Sequence, residues 1–339
     1  MPNPHRLFLS LCLSLFPLLL MGEEKNGLFP EWVERLIGKF TKGSAIDTAY
    51  VTRDTFRFIV KPKLTGTLGE YTFKWKSEGN EISLGSSPQM KIGVNLTYRH
   101  LTLGLSTNVD QLLGRKSKKE IDYSLSSYGN RFGGELFYTT SDNYNLRNEQ
   151  ADARYPRLRC FESQRLQGSA YYVFNHRRFS YPCTITQSYY QRRSCGSFLI
   201  GANFSAQRLT MDEGKIPADL PPEFDGLEQI PRKTSYTIIG LSVGYAYNWV
   251  LKKRWTLHAS LIATVPVYEK GTISYTDRKE TIRYNPLNTS PAMRFGVLYN
   301  GRHNFGGLSI SNNFQLIRHS SLHISDLYFR ARLYYGMRF

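Results

Sequence analysis

The last segment of the chain, residues 327–339, alternates apolar and polar side chains. The apolar side chains occupy every second position: Leu327, Phe329, Ala331, Leu333, Tyr335, Met337 and Phe339. The polar face carries three arginines, Arg330, Arg332 and Arg338. A period of two predicts a β-strand with one apolar face. Such a strand would promote aggregation as a free edge in water, whereas a barrel in lipid has no free edge. The pattern therefore favours a transmembrane β-barrel.

The aromatic residue at position 339 adds to this prediction. Phe339 resembles the C-terminal assembly signal of bacterial outer-membrane barrels, and Tyr335 and Leu333 lie above it on the same strand face. We predict that these three side chains lie in lipid and that the three arginines face the lumen. The resemblance implies the barrel-assembly machinery as a partner.

The first residues of the chain predict export. A short basic start is followed by an apolar run from Leu7 to Met21 and then by Gly22. A run of about fifteen residues is too short for a membrane-spanning helix, which needs ~20, but it suits a signal peptide. We predict a signal peptide at 1–22 and Sec-type export to the cell outer membrane.

The chain after the signal divides into two predicted parts. Residues 23–54 form a periplasmic segment, with a short amphipathic helix from Leu28 to Phe40 whose apolar side chains share one face. Residues 55–339 form the barrel. The fold class is therefore all-β, with a short N-terminal helix before an antiparallel barrel.

The composition agrees with a barrel and narrows the partners. Aromatic residues make up 14% of the chain, yet the mean hydropathy is −0.40. Outer-membrane barrels have this composition because only alternate residues face lipid and aromatic residues line both interfaces. The net charge of +17 favours contact with phosphate groups. Export makes nucleic acid the least suitable source, which leaves outer-membrane lipids and lipopolysaccharide as the predicted partners.

The connections between the predicted strands alternate in length. Tight turns fall near 99–100, 129–130, 251–253 and 301–303. Longer polar connections fall near 109–118, 140–162, 208–233, 270–289 and 317–322. Outer-membrane barrels place short turns in the periplasm and long loops outside, and one connection, 176–194, breaks this rule. A first strand at 69–76 gives twelve strands, whereas spanning strands at 55–61 and 80–86 would give fourteen. We predict twelve.

Basic side chains collect in two places. The first group surrounds several aromatic residues: His176, Arg177, Arg178, Arg192 and Arg193. The second group lies in a predicted outside loop: Arg154, Arg157, Arg159 and Arg165. We interpret the first group as an interfacial belt on lipid phosphates, and a periplasmic partner or anion site is the alternative. The second group suits bidentate contacts with lipopolysaccharide phosphates.

The sequence shows little that could support catalysis, a metal or a cofactor. His258 alternates with lipid-facing residues, so we predict that it fills the lumen and does not act as a base. No nucleophile–base pair and no paired carboxylates are evident. Of the cysteines after the signal, Cys160, Cys183 and Cys195, the last two flank a connection and could form a disulfide. We predict that the protein is not an enzyme and has no cofactor or metal.

Several motifs are similar to one known family. They are Asp47–Val51, Tyr123–Tyr128, Tyr172–Pro182, Gln191–Ser197 and Leu241–Val250. The family is an uncharacterised Bacteroidota domain of unknown function whose members look like secreted β-barrels, and the resemblance covers roughly residues 45–339. It implies location and architecture, and it implies no activity, catalytic residue or cofactor.

Three functions remain open from the sequence. The first is a non-enzymatic barrel that passes or binds small solutes, because the small residues Gly240, Ser242, Gly244 and Ala246 share one face and leave room for water. The second is an envelope structural or interaction protein with a filled lumen. The third is a lipid-modifying enzyme. The sequence predicts no oligomeric state.

Overall fold

The computed structural model describes residues 45–339 apart from eight short stretches. These are 54–55, 76–80, 99, 114–119, 148–157, 213–230, 253 and 320–321, together with residues 1–44 before them. The predicted signal peptide and the helix at 28–40 therefore lie outside the described residues. Among the described residues, no helix has the length and apolar character needed to cross a membrane.

Twelve long antiparallel strands of the described chain form one closed barrel. They are β2 (Phe58–Trp75), β4 (Gln89–Tyr98), β5 (Leu101–Asn108), β6 (Ile121–Tyr128), β7 (Phe132–Arg147), β8 (Leu158–Val173), β10 (Cys195–Met211), β11 (Lys233–Lys252), β12 (Trp255–Ser274), β14 (Ser290–Asn300), β15 (Asn304–Arg318) and β16 (Leu322–Arg338). The shorter elements are β1 (Val51–Arg53), β3 (Glu81–Ser86), β9 (Tyr189–Gln191), β13 (Lys279–Ile282), α1 (Val109–Leu112) and α2 (Pro182–Ile185). The barrel closes because β16 pairs with β2 and β11 pairs with β12.

The predicted strand number of twelve is confirmed, and the alternative of fourteen is wrong. The segments 55–61 and 69–76 belong to a single strand, since β2 continues without a break from Phe58 to Trp75. The segment 80–86 forms β3, which pairs with the far end of β2 and with β7. It extends the sheet beyond the ends of β4, β5 and β6 and adds no strand to the barrel.

The two ends of the barrel differ in the length of their connections, as predicted. Tight turns join β4 to β5, β6 to β7, β11 to β12 and β14 to β15. We call this the short-turn end, and the opposite end the long-loop end. Phe339 lies at the short-turn end, where its backbone N–H donates to Phe58 O at 2.9 Å. The one long connection at the short-turn end joins β8 to β10 and contains α2 and β9.

The outer face of the barrel is apolar. Phe198, Val243 and Leu333 are 63%, 60% and 59% exposed, and they represent a band of outward side chains that continues around the barrel. Aromatic pairs gather near the short-turn end of this band. Their ring centroids lie about 5 Å apart: Phe58–Tyr98 (4.9 Å), Phe132–Tyr172 (5.2 Å), Phe198–Tyr245 (5.0 Å) and Trp255–Tyr299 (5.3 Å). They form an aromatic girdle at one end of the barrel.

Strand β16 has the facing that its period-two pattern predicts. Leu333, Tyr335 and Phe339 are exposed on the outer face. Arg330 and Arg338 are buried inside the barrel, and Arg332 lines an internal cavity. The role of the three outward residues in assembly stays a prediction.

Candidate functional site

The connection between β8 and β10, residues 174–194, folds into the lumen. We call it the plug. Its central side chains are almost completely buried: Phe179, Tyr181, Cys183 and Gln187 are each no more than 1% exposed. A long connection at the short-turn end therefore closes that end of the lumen.

Hydrogen bonds tie the plug to opposite walls of the barrel. On β2, Lys61 Nζ donates to Ile185 O at 3.0 Å and to Gln187 Oε1 at 2.7 Å. On β11, Asn248 Nδ2 donates to Ser180 O at 2.9 Å. These bonds satisfy plug carbonyls that would otherwise be buried without partners.

Aromatic packing completes the closure. The Tyr181 ring lies 6.2 Å from Tyr128, 6.0 Å from Tyr171 and 5.6 Å from His258, measured between ring centroids. Ala246, one of the small inward residues of β11, belongs to the same buried cluster. At Ala246 the small side chain makes room for plug aromatics, so the predicted space for water is not found there.

His258 lies in the lumen as predicted, but it is not isolated. Its Nδ1 lies 2.7 Å from Asn248 Oδ1, and its Nε2 lies 3.3 Å from Ser260 Oγ. Ser260 lies near His258 because residue 260 follows two positions after residue 258 on the same inward face of β12. The expectation that the chain holds no catalytic nucleophile–base pair stays a prediction. Both side chains are buried, and His258 lines the internal cavity whereas Ser260 does not. The arrangement forms part of the packing beneath the plug.

Apolar side chains close the long-loop end of the lumen. They come from eight of the twelve barrel strands, from β3 and β13 and from the residue after β12: Tyr71, Phe73, Trp75, Leu84, Tyr144, Phe161, Leu209, Met211, Tyr236, Ile238, Ile273, Tyr275, Ile282, Ile317, Leu322 and Ile324. We call this the upper cluster. An apolar cluster that spans the lumen excludes water from that end.

A buried polar layer lies directly beneath the upper cluster. Arg165 Nη2 donates to both carboxylate oxygens of Asp326, at 2.7 and 2.8 Å, and to Tyr71 Oη at 3.0 Å. Gln207 Nε2 donates to Asp326 Oδ2 at 2.9 Å and to Gln315 Oε1 at 3.1 Å. Both members of the ion pair thus make further hydrogen bonds, Arg165 to Tyr71 and Asp326 to Gln207. A buried ion pair needs such bonds to offset the cost of removing both charges from water.

Between the plug and the polar layer lies a cavity of about 230 Å³. We call it the chamber. Its charged lining is mostly basic, with six cationic and two acidic side chains: Lys61, Lys63, Arg165, Arg294, Arg330, Arg332, Glu135 and Asp326. Arg294 forms an ion pair with Glu135 across the lumen. The chamber therefore carries an excess of positive charge.

The first predicted basic group lies at the short-turn end, mostly on its outer surface. Arg177, Arg178, Arg192 and Arg193 are exposed, and His176 Nδ1 lies 3.2 Å from Val173 O. Its members are brought together, but away from the chamber. The prediction that Arg165 belongs to the second group in an outside loop is wrong, because Arg165 lies on β8 with its side chain buried in the lumen against Asp326. Arg154 and Arg157 of this group lie outside the described residues. The backbone of Arg159 belongs to β8, and its side chain is not described.

The exposed arginines hold an N-terminal segment against the plug. Arg178 Nε donates to Asp47 Oδ2 at 3.2 Å, and Arg192 Nη1 donates to Thr48 O at 3.3 Å. The guanidinium groups of Arg178 and Arg193 lie 5.1 and 5.6 Å from the centroid of the Tyr50 ring. Contact with lipid phosphate stays a prediction for this group.

Gln191 is the centre of this arrangement, and the sequence reasoning missed it. Its Oε1 accepts from Ser180 N at 2.9 Å and from Asn248 Nδ2 at 3.3 Å. Its Nε2 donates to Arg178 O at 2.7 Å, to Arg193 O at 2.9 Å and to Tyr50 O at 3.3 Å. One amide thus joins the plug, the barrel wall and the N-terminal segment.

The two described cysteines are free thiols, so the disulfide considered from the sequence is not formed. Cys183 is buried inside the plug, and burial raises the pKa of its thiol to about 11. Cys195 Sγ accepts a hydrogen bond from Asn175 Nδ2 at 3.2 Å. In the described part of the chain, no group of three or more His, Cys, Asp or Glu side chains is placed to hold a metal ion.

The chain matches the family described as "Domain of unknown function (DUF4421)" over residues 45–339. It belongs to this family. Three of the motifs that carry the resemblance, in the ranges 47–51, 172–182 and 191–197, meet where the N-terminal segment, the plug and Gln191 join. The Bacteroidota origin stays a prediction.

No curated protein is detectably similar to the chain in sequence. Solved outer-membrane structures are similar at low identity. The protease OmpT from Escherichia coli is 9% identical with a TM-score of 0.39, over 85% of this chain and 99% of that one. The COG4313 outer membrane channel from Pseudomonas putida F1 is 11% identical with a TM-score of 0.36, over 87% and 100%. The translocator domain of autotransporter NalP from Neisseria meningitidis is 12% identical with a TM-score of 0.34, over 91% and 95%. The architecture rests on the chain's own strand pairing.

Proposed function

We propose that this protein is a non-enzymatic outer-membrane β-barrel that binds a small ligand in a closed lumen. The apolar outer band and its aromatic girdle support a position in lipid. In water, a band of this extent would be an aggregation-prone surface, because soluble monomers rarely expose apolar patches larger than a few hundred Å². The proposal includes Sec-type export and assembly by the barrel-assembly machinery.

Closure of the lumen at both ends is the observation that carries the proposal. The plug spans the lumen from Lys61 on β2 to Asn248 on β11, and the upper cluster fills the other end. The chamber between them remains empty of side chains. A protein with this lumen is suited to holding a solute and is not suited to continuous diffusion.

Conductance of the purified protein in planar bilayers tests this proposal. We expect no steady conductance from the wild type. Gln191→Ala removes five hydrogen bonds at the root of the plug. Unsatisfied buried groups cost about 1–3 kcal/mol each, so the plug should loosen. Because the upper cluster closes the other end, we expect frequent channel openings when Gln191→Ala is combined with Phe73→Ala and Ile324→Ala in that cluster. Gln164→Ala, on the outer face of β8, is the matched control and should stay silent.

Two results would contradict the proposal. Steady wild-type pores would show that the lumen is open. A barrel that carries Gln191→Ala, Phe73→Ala and Ile324→Ala, inserts and stays as silent as the wild type would show that the plug does not control access, which favours a structural protein with a permanently filled lumen.

A hydrolytic function is the second candidate, because Ser260, His258 and Asn248 are connected in the order nucleophile, base and orienting group. Burial of Ser260 away from the chamber disfavours it. Phospholipid or ester hydrolysis by the wild type that is lost in Ser260→Ala, with folding unchanged, would support the enzyme over the ligand-binding barrel.

A further inference from the structure

Three basic side chains of the chamber stand close together in the sheet. Lys63 lies on β2, and Arg330 and Arg332 lie on the neighbouring β16. In the register between these strands, Lys63 is opposite Tyr334, Thr65 is opposite Arg332 and Thr67 is opposite Arg330. The three basic residues therefore occupy adjacent inward positions of one strand pair, and all three line the chamber.

Other lumen cations are matched by carboxylates or by carbonyl groups. Arg165 pairs with Asp326, Arg294 with Glu135, and Lys91 with Asp122 at 2.8 Å. Lys61 donates to the plug. Each of these cations already has the partner that a buried charge requires.

The three basic residues on β2 and β16 lack such partners. Among the described residues, no carboxylate forms a salt bridge with Lys63, Arg330 or Arg332, and no side-chain hydrogen bond reaches them. Arg330 is only 7% exposed, yet its Nε and Nη2 have no hydrogen-bond partner. Its guanidinium plane is fixed over the ring of Phe137 at 3.8 Å and near the ring of Tyr328 at 4.9 Å. The aromatic contacts hold the group in place, and its buried Nε and Nη2 remain without hydrogen-bond partners.

A buried cation without a directly paired carboxylate is costly, so an anion in the chamber would stabilise this group. Guanidinium groups present donors in a planar fork that matches the oxygens of carboxylates and phosphates. A volume of about 230 Å³ is below the range of about 300–1,000 Å³ for pockets that take drug-sized ligands. The chamber is therefore sized for a small oxyanion with a few water molecules.

We propose that Lys63, Arg330 and Arg332 form a binding site for a small oxyanion with two negative charges, of the phosphate class. Hydroxyl groups of the chamber wall, including Ser309 and Ser311, are available for its remaining oxygens. This inference rests on the proposed function, since it names the class of ligand that the closed lumen would hold.

The test uses inorganic phosphate as the probe. The full chain after residue 22 is refolded in detergent with radiolabelled phosphate, so that a closed lumen cannot prevent entry, and is then desalted. We expect about one phosphate retained per folded wild-type barrel. Arg330→Gln and Arg332→Gln should each bind phosphate at least tenfold more weakly than the wild type. Arg330→Lys should bind phosphate with an intermediate affinity. Arg254→Gln, at an exposed turn outside the barrel, is the matched control and should bind like the wild type.

Heat-dependent gel mobility checks that each variant is folded. Competition between phosphate and other anions then defines the ligand class. Sulphate should displace phosphate, whereas chloride at the same ionic strength should not. Two results would overturn the site. One is a folded wild-type barrel that retains no phosphate, and the other is full phosphate retention by both Arg330→Gln and Arg332→Gln. Either result would leave the closed barrel intact, because that is judged separately by conductance. If Gln191→Ala binds phosphate but releases it faster, the site and the plug are both supported.

Discussion

On β16, the environment of a side chain changes completely from one residue to the next. Leu333 faces outward, whereas Arg332 lines the chamber. The sequence predicted this facing because the alternation is strict and because an arginine in lipid is costly. It did not predict that Arg330 would lie against Phe137, since the two residues are far apart in the chain and the contact depends on how the barrel closes.

Exchanging the character of these two neighbours should have opposite effects. Leu333→Arg places a charge in the apolar band, at a cost of ~2–4 kcal/mol near the bilayer midplane, and should strongly reduce the folded fraction. Arg332→Leu removes a buried charge without a carboxylate partner and should fold at least as well as the wild type. Heat-dependent gel mobility after membrane extraction measures both. Equal folded fractions for the two variants would mean that the facing of β16 is wrong.

At the scale of elements, the plug is the feature that the sequence left open. The alternation of loop lengths identified 176–194 as an exception, but it gave no direction for the fold. A usable signal was present, because residues 179–191 contain no charged side chain whereas arginines stand on both sides. The uncharged run is the buried part and the flanking arginines remain outside. Whether such a run fits inside depends on the size of the lumen, which follows from the strand number and not from local sequence.

Cys183 offers a direct probe of this element. With the other cysteines changed to serine, the buried Cys183 thiol should react with a small maleimide far more slowly than in the unfolded chain. Burial hides the sulfur, and its raised pKa, about 11, keeps it in the unreactive thiol form. Adding Gln191→Ala should increase the labelling rate at least tenfold, whereas adding Gln164→Ala should not. Rapid labelling of the single-cysteine parent would show that the plug does not rest inside the lumen.

At the scale of the whole molecule, strand periodicity and loop alternation were sufficient to predict a twelve-stranded antiparallel barrel. The prediction treats 55–61 and 69–76 as separate segments, whereas β2 continues through both. The chamber could not be predicted, since its charges come from five different strands. The strand register and the closure of the barrel decide which of these charges form ion pairs. The excess of inward basic residues can be counted only after the inward face of every strand has been assigned.

A scan of four consecutive residues on β15 tests the central claim of a lipid-embedded barrel with a closed lumen. Spin labels at Leu308, Ser309, Ile310 and Ser311 are compared in liposomes for collisions with oxygen, which enriches in lipid, and with a water-soluble nickel complex. We expect high oxygen and low nickel accessibility at 308 and 310, which face outward, and low values for both at 309 and 311, which line the chamber. High nickel accessibility at 309 and 311 would reveal an open aqueous pore, and a loss of the alternation in oxygen accessibility would contradict the membrane-spanning barrel itself.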